Sequence, residues 1–203
     1  MEKSLVKKST FVDNSAIFIV IFAVLLSLVG INPVYAAPKS SFGQGKFTVG
    51  SGIKPGIYRS KSVVKSGANC FWHITTTGSN GNEDIAIDNS KGGILTLNLQ
   101  KGMDIETKRC GTFVKSSLTA PRGTPRTTVG NGVWLVGVDM RPGTYRVDQD
   151  IFGKSCYLKI YTAGSNLEDL IEIENYTRGT PTATLQIGEE FYNNGCGTLT
   201  LEG

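Results

Sequence analysis

The fold of this chain is decided by a stretch that occurs twice: Val49–Arg59 reads VGSGIKPGIYR, and Val136–Arg146 reads VGVDMRPGTYR. Two further matches follow at nearly the same spacing, Gly-Ser-Asn at 78–80 and 164–166, and Cys-Gly-Thr at 110–112 and 196–198. Self-similarity at a fixed period is typical of repeated structural units. The sequence therefore predicts two homologous modules, module 1 at residues 46–114 and module 2 at residues 132–203.

Three segments of the 203 residues lie outside these modules. Lysines precede the apolar run Ala16–Val29, and small residues follow it, so residues 1–36 are predicted to be a secretory signal peptide. Residues 37–45 form an N-terminal tail. Residues 115–131 are rich in Pro, Ser and Thr, which predicts a semi-extended linker. The predicted location is secreted or in the cell envelope, with membrane attachment only if the leader stays uncleaved, and Ala16–Val29 is short for a membrane span.

All four cysteines lie in the exported part, two in each module and at equal separations. An even count behind a secretory leader favours one disulfide per module, Cys70 with Cys110 and Cys156 with Cys196. Closing a loop of about 40 residues stabilises a small domain by roughly 4 kcal/mol in the chain-entropy model. We therefore expect both disulfides to be needed for folding.

The composition favours an all-β protein. The chain has 25 glycines and only 19% charged residues, and Thr, Val and Ile are plentiful between the glycine-rich breaks. Each module offers about six short strands and no convincing helical stretch, which predicts two tandem small sandwiches or barrels. The excess of 21 basic over 17 acidic residues is too small for a surface that follows phosphates, so nucleic acid is not an expected partner.

In both copies of the repeated stretch, Pro-Gly is expected to form a type II turn from which a strand leaves. Tyr58 and Tyr145 then face one way, and Arg59 and Arg146 face the other. We interpret the tyrosines as core residues whose hydroxyls find backbone partners. The arginines could pair with the acidic residues that follow Gly-Ser-Asn.

The strand that holds the first cysteine of each module alternates between inward and outward residues. If Cys70 faces the core, Phe71 and His73 face outward, as do Tyr157 and Tyr161 in module 2. The outward rings Phe71, Tyr157 and Tyr161 could stack on a sugar ring or contact a protein, and they are the candidate binding residues. The alternative is that these rings cover a second core layer or meet the neighbouring module.

Acidic residues cluster after Gly-Ser-Asn in both modules. Oxygen-rich loops can hold calcium, and the weak candidates for a metal site are Glu83, Asp88, Asp169 and Glu174. Their spacing fits no EF-hand, so no metal and no cofactor is predicted.

The sequence offers little for catalysis. His73 is the one histidine of the chain, and Lys159 stands at its position in module 2. Nucleophile-elbow and phosphate-loop patterns are absent from the sequence. We expect a non-enzyme, although carboxylates distant in sequence can meet in a fold.

The stretch Val136–Arg146, with Cys156-Tyr157 and the Gly-Cys-Gly at 195–197, resembles a family of small secreted or lipid-anchored bacterial domains that carry a Val-Gly-x-Asp-Ile-x-Pro-Gly-Thr-Tyr-Arg turn. The resemblance covers both modules and implies a bacterial envelope or extracellular setting, without a settled activity. The leader has no cysteine for lipidation, and Phe113 and Leu199 stand where that family has a terminal Trp. Lipid anchoring is therefore not expected.

Together these observations predict an exported, non-enzymatic protein that binds or organises a cell-surface glycan or protein, and its duplicated modules suit bivalent attachment. The first alternative is a structural protein that associates with copies of itself. The second is an enzyme or enzyme inhibitor that uses carboxylates of the acidic loops: Glu83, Asp88, Glu168 and Asp169.

Overall fold

Both halves of the chain fold into short β-strands joined by turns. The computed structural model describes residues 36–65, 67–120, 123–153 and 155–203, and no helix occurs in these ranges. The strands of module 1 are β1 (Ser41–Phe42), β2 (Gly45–Thr48), β3 (Gly56–Ser60), β4 (Cys70–Thr76), β5 (Asp84–Ser90), β6 (Thr96–Leu99), β7 (Met103–Lys108) and β8 (Phe113–Lys115). Those of module 2 are β9 (Thr128–Val129), β10 (Gly132–Leu135), β11 (Gly143–Val147), β12 (Cys156–Thr162), β13 (Leu170–Tyr176), β14 (Thr182–Leu185), β15 (Glu189–Asn194) and β16 (Leu199–Leu201).

In each module the first strand pairs with the last, the second strand with the second-last, and so on inward to the two middle strands. In module 1, β1 pairs with β8, β2 with β7, β3 with β6 and β4 with β5, all antiparallel. Two four-stranded sheets result, β1-β8-β3-β6 and β2-β7-β4-β5, and module 2 repeats them as β14-β11-β16-β9 and β10-β15-β12-β13. An eight-stranded double sheet wound in this way is a jelly roll. The predicted fold class, two tandem all-β modules, is confirmed.

Side chains alternate between the two faces of each strand, so every second residue points into the space between the two sheets. On β4, Cys70, Trp72 and Ile74 point inward and are fully buried. Each module is closed by its own disulfide, Cys70–Cys110 and Cys156–Cys196, as predicted.

The repeated tyrosines are also in the core. Tyr58 and Tyr145 are fully buried. The Tyr58 hydroxyl donates to the carbonyl of Lys54 at 2.6 Å, and the Tyr145 hydroxyl donates to the carbonyl of Arg141 at 3.0 Å. Their predicted role as core residues with backbone partners is confirmed.

The modules begin earlier than the sequence predicted. The predicted tail, residues 37–45, contains β1, which pairs with β8. The predicted linker, residues 115–131, contains β9, which pairs with β16. Each module therefore has eight strands rather than about six, because two-residue strands are too short to show an alternation of apolar and polar residues.

The leader itself, residues 1–36, lies almost entirely outside the described residues. The same holds for the possible anchor Ala16–Val29. The part of the chain that the structure describes contains no helix long and apolar enough to cross a bilayer.

The modules are packed together rather than held apart by a linker. Residues 37–203 form one compact unit. Val133, Tyr161, Leu167 and Tyr192 of module 2 belong to the core cluster of module 1, and Ile94 of module 1 belongs to that of module 2. Each module therefore completes the core of the other.

Glycines allow the two backbones to meet at this junction. The Ile94 N–H donates to the carbonyl of Val133 at 2.7 Å, and the Val133 N–H donates to the carbonyl of Gly92 at 3.2 Å. A Cβ at Gly92 would lie 2.5 Å from the carbonyl oxygen of Asn131, and one at Gly93 or Gly132 would overlap the facing backbone. Only glycine fits such a close approach of two chains.

A buried ion pair crosses the junction. The Arg59 guanidinium contacts the Asp139 carboxylate, and both side chains are excluded from solvent. The same carboxylate oxygen accepts the Leu135 N–H at 2.9 Å. Asp139 belongs to the repeated stretch of module 2 and not to the acidic segments that follow Gly-Ser-Asn. Arg146, which holds the same position in module 2, lies at the surface, 3.6 Å from Glu202.

Asn166 of module 2 forms two hydrogen bonds with the backbone of Asn98 on β6, an edge strand of module 1. Its Oδ1 accepts the Asn98 N–H at 2.7 Å, and its Nδ2 donates to the Asn98 carbonyl at 3.1 Å. One side-chain amide thus satisfies both polar groups of an edge-strand residue, as a neighbouring strand would. Within the repeated Gly-Ser-Asn of module 2, it is therefore the Asn that makes this contact.

Glu190 makes the stability of this junction depend on pH. Its side chain is fully buried between the modules, and burial raises its pKa to about 7, while the Thr96 hydroxyl, the Gly164 N–H and the Arg59 charge offset this only in part. The pKa of Glu190 is higher in the folded protein than in the unfolded chain, where it is near 4.5. The contribution of the protonated Glu190 side chain to stability is therefore fully present below pH 4.5 and is lost as the pH rises through about 7.

We expect Glu190→Gln to remove that loss. Chemical unfolding of both proteins between pH 5 and 8.5 should show the variant gaining stability relative to the native protein as pH rises. A difference that does not change with pH would contradict the assignment.

Candidate functional site

The candidate site is the outer surface of sheet β2-β7-β4-β5 in module 1, which we call the open face. Two rows of paired residues cross it, Lys46–Glu106–His73 and Thr48–Asp104–Thr75. With Asn80 and Gly81 of the β4–β5 loop, these residues line a cleft of about 380 Å³. This volume lies in the range of small-molecule binding sites.

Hydrogen bonds and ion pairs orient the polar groups of the open face. His73 Nε2 lies 2.6 Å from Asp84 Oδ1, and the Thr77 hydroxyl donates to Asp104 at 3.1 Å. Glu106 contacts Lys108 at 2.7 Å and Lys46 at 3.3 Å.

These contacts also set the charge of Glu106. The hydrogen bond from Lys108 lowers its pKa, burial acts in the opposite direction, and Lys46 lowers it further. Glu106 is therefore a carboxylate at neutral pH, and it can accept hydrogen bonds from ligand hydroxyl groups.

The equivalent surface of module 2, the covered face, is different in character. Its two rows read Val133–Tyr192–Lys159 and Leu135–Glu190–Tyr161. All but Lys159 are buried, since module 1 packs on them. Two surfaces with the same architecture thus have different roles, and the bivalent display predicted from the duplication is not what the fold provides.

The three predicted binding aromatics lie in different environments. Phe71 is half-buried on the open face but does not line the cleft, and its ring centroid lies 6.3 Å from that of His73 and 5.3 Å from Lys108 Nζ. Tyr157 is half-buried at the matching position of module 2. Tyr161 is only 5% exposed and contributes to the core of module 1. It meets the neighbouring module, as the alternative interpretation had it, and is therefore not part of an exposed binding surface.

The acidic candidates do not assemble into a site. Glu83, Asp169 and Glu174 are exposed, whereas Asp88 lies near Tyr161 and Tyr192 at the module junction, where its charge contributes to their raised pKa after burial. Within the described ranges, no three His, Cys, Asp or Glu side chains come together in a way that could hold a metal ion. Neither these acids nor Glu168 lines the open-face cleft.

Sequence reasoning missed Lys46, Asn80, Asp104 and Glu106 as site residues. A usable signal existed on β7, where Asp104, Glu106 and Lys108 alternate with Met103, Ile105 and Thr107. That pattern places three charged side chains on one face of a strand. Nothing in it says that this strand lies beside His73.

The fold defines the class of protein: two tandem jelly-roll domains, each closed by a disulfide, that share core residues and form one compact unit. The chain belongs to the Rv1352-like extracellular domain family, whose model matches residues 39–114 and 126–200. Both matches begin before the predicted module boundaries and include β1 and β9. This membership confirms the predicted extracytoplasmic or secreted location and supports the resemblance to an extracellular family, without confirming the motifs on which it was based. No curated protein matches the chain.

Proposed function

We propose that the protein binds an extracellular glycan on the open face of module 1. The observation that carries this proposal is the contrast between the two equivalent faces. Where a protein surface covers the sheet, the rows present Val133, Tyr192 and Tyr161. Where the sheet is open, the positions of Val133 and Tyr192 hold the charged residues Lys46 and Glu106, and the position of Tyr161 holds the smaller Thr75, which is itself buried.

A hydroxyl-rich ligand fits the open face better than a protein does. Stable protein interfaces bury roughly 800 Å² per partner and have an apolar, charge-poor centre. The open face instead offers a cleft of about 380 Å³ lined by carboxylates, an amide, an ammonium and an imidazole. Sugar hydroxyls can donate to Asp104 and Glu106, and the half-buried Phe71 ring beside them can contact the apolar side of a sugar ring.

The same replacements argue against self-association through this face. To repeat the internal junction through the open face, a second copy would place on it the side of its module 2 that carries Arg146, the counterpart of the Arg59 side of module 1. There it would meet Gly52 in place of Asp139, Glu106 in place of Tyr192 and Gly81 in place of Leu167. The buried ion pair and the apolar contacts of the junction would all be lost.

The test is a glycan array of bacterial surface polysaccharides, followed by calorimetry with the polysaccharide that binds. We expect Asp104→Asn to weaken binding about tenfold, since a hydrogen bond to a charged group contributes about 1.5 kcal/mol. His73→Ala should weaken it about fivefold, since the loss of one hydrogen bond costs about 1 kcal/mol.

Lys159→Ala is the matched control, because Lys159 occupies the position of His73 in module 2. It should bind as the native protein does. Failure of every glycan to bind, or equal losses in the open-face variants and the control, would disprove the proposal.

A further inference from the structure

We propose a second interaction surface, independent of the open face: strand β13 of module 2 accepts an extended segment of a partner protein whose side chains alternate between basic and apolar. β13 is the edge strand of its sheet, and six of its seven residues are exposed. Leu170, Ile171 and Ile173 are 45%, 55% and 51% exposed. A long, exposed, apolar edge strand is a template for pairing with another chain.

The homologous strand of module 1, β5, is also the edge strand of its sheet, and its inner side lies close to module 2. On β5, Ala86 and Ser90 are buried, and the Asp88 charge acts on Tyr161 and Tyr192 of module 2. At the matching positions of β13 stand Glu172, Tyr176 and Glu174.

The side chains of β13 specify the chemistry of the partner. Glu172 and Glu174 lie opposite Ile160 and Leu158, on the inner side of the sheet, while Ile173 lies opposite Lys159, on the outer side. An added strand would therefore meet two carboxylates on one side and apolar surface on the other. Lysine or arginine alternating with apolar residues complements both sides.

A second copy of this chain is not the expected occupant. When two β13 strands pair antiparallel across a two-fold axis, residues of the same side lie opposite each other. In the registers with the largest overlap, Glu172 or Glu174 then faces a glutamate of the other copy. Like charges directly opposite each other destabilise strand pairing. The partner must therefore bring the opposite charge, and main-chain hydrogen bonds of strand addition would supply the affinity.

The test uses the full chain and two synthetic peptides as long as β13, one alternating lysine with valine and one alternating glutamate with valine. We expect the lysine peptide to bind and to slow amide hydrogen exchange in β13. The double variant Glu172→Lys/Glu174→Lys should lose this binding at least tenfold and should bind the glutamate peptide instead.

The control, Glu83→Lys/Asp148→Lys, makes the same change in net charge at exposed positions outside β13, and it should bind the lysine peptide as the native protein does. Absence of lysine-peptide binding would mean that the glutamates only prevent self-pairing, and it would overturn the proposal. Protection in strands other than β13, or an equal loss in the control, would also overturn it.

Discussion

Asp139→Ala is expected to lower the free energy of unfolding by about 3–5 kcal/mol, the range observed when one partner of a buried ion pair is removed. The change leaves the Arg59 guanidinium excluded from solvent without the carboxylate it contacts in the native protein. It also removes the acceptor of the Leu135 N–H. Because net stabilities of single domains lie at about 5–15 kcal/mol, a loss of this size is a large part of the total.

The chain contains a matched control for this prediction. Arg146 is the counterpart of Arg59, and its partner Glu202 is 44% exposed. Exposed ion pairs contribute at most about 1 kcal/mol, so Glu202→Ala should change stability little. Urea unfolding of both variants measures the difference. Equal effects of the two substitutions would show that the Arg59–Asp139 pair does not hold the junction.

The second large effect is expected from the disulfide of module 2. Replacing Cys156 and Cys196 by serine should cost about 4 kcal/mol, because the unfolded chain regains the freedom of a loop of about 40 residues. The sequence predicts that a small module needs its disulfide to fold, but residues 37–203 form one compact unit, so we expect the variant to fold with this loss of stability. If the modules shared only a linker, module 1 would be unaffected. Since Tyr161, Leu167 and Tyr192 of module 2 complete the core of module 1, the loss should reach both modules.

Most of the fold follows from local patterns in the sequence. Alternation around Cys70 and Cys156 places Trp72, Ile74 and Leu158 in the core, and the repeat assigns each disulfide. The jelly-roll winding does not follow in this way, because β1 and β9 are two residues long and are held by pairing with the last strand of each module. Their position depends on contacts between residues far apart in sequence.

The site was only partly predictable for a related reason. The alternation of side chains along β4 and β12 correctly predicted which residues point to the outer side of their sheets: Phe71, His73, Tyr157 and Tyr161. It treated the two outer surfaces as equivalent, whereas one of them is covered by the other module. One signal was present, since Asp139 occurs only in the second copy of the repeated stretch, where the first has Gly52. Asp139 accepts the Leu135 N–H within its own turn and also contacts Arg59 of module 1, so this difference between the copies marks the residue that forms the buried ion pair.

The covered face explains why the duplication does not give two binding sites. Module 1 packs on the outer surface of sheet β10-β15-β12-β13 of module 2, which is the covered face. The equivalent surface of module 1, on sheet β2-β7-β4-β5, stays uncovered and is the open face. A ligand on that face would be held by a sheet whose core depends on both modules. The proposed glycan affinity should therefore depend on the integrity of module 2, although none of the described residues of module 2 lines the cleft.

The most direct test of this joint folding unit uses the two tryptophans of the chain, Trp72 in module 1 and Trp134 in module 2. In the serine variant that lacks Cys156 and Cys196, Trp134→Phe leaves Trp72 to report module 1, and Trp72→Phe leaves Trp134 to report module 2. Each is compared by fluorescence-monitored urea unfolding with the same single-tryptophan protein that retains both disulfides. We predict that removing the module 2 disulfide shifts both unfolding midpoints by the same amount. A shift seen by Trp134 alone, with the Trp72 midpoint unchanged, would show that the modules fold separately.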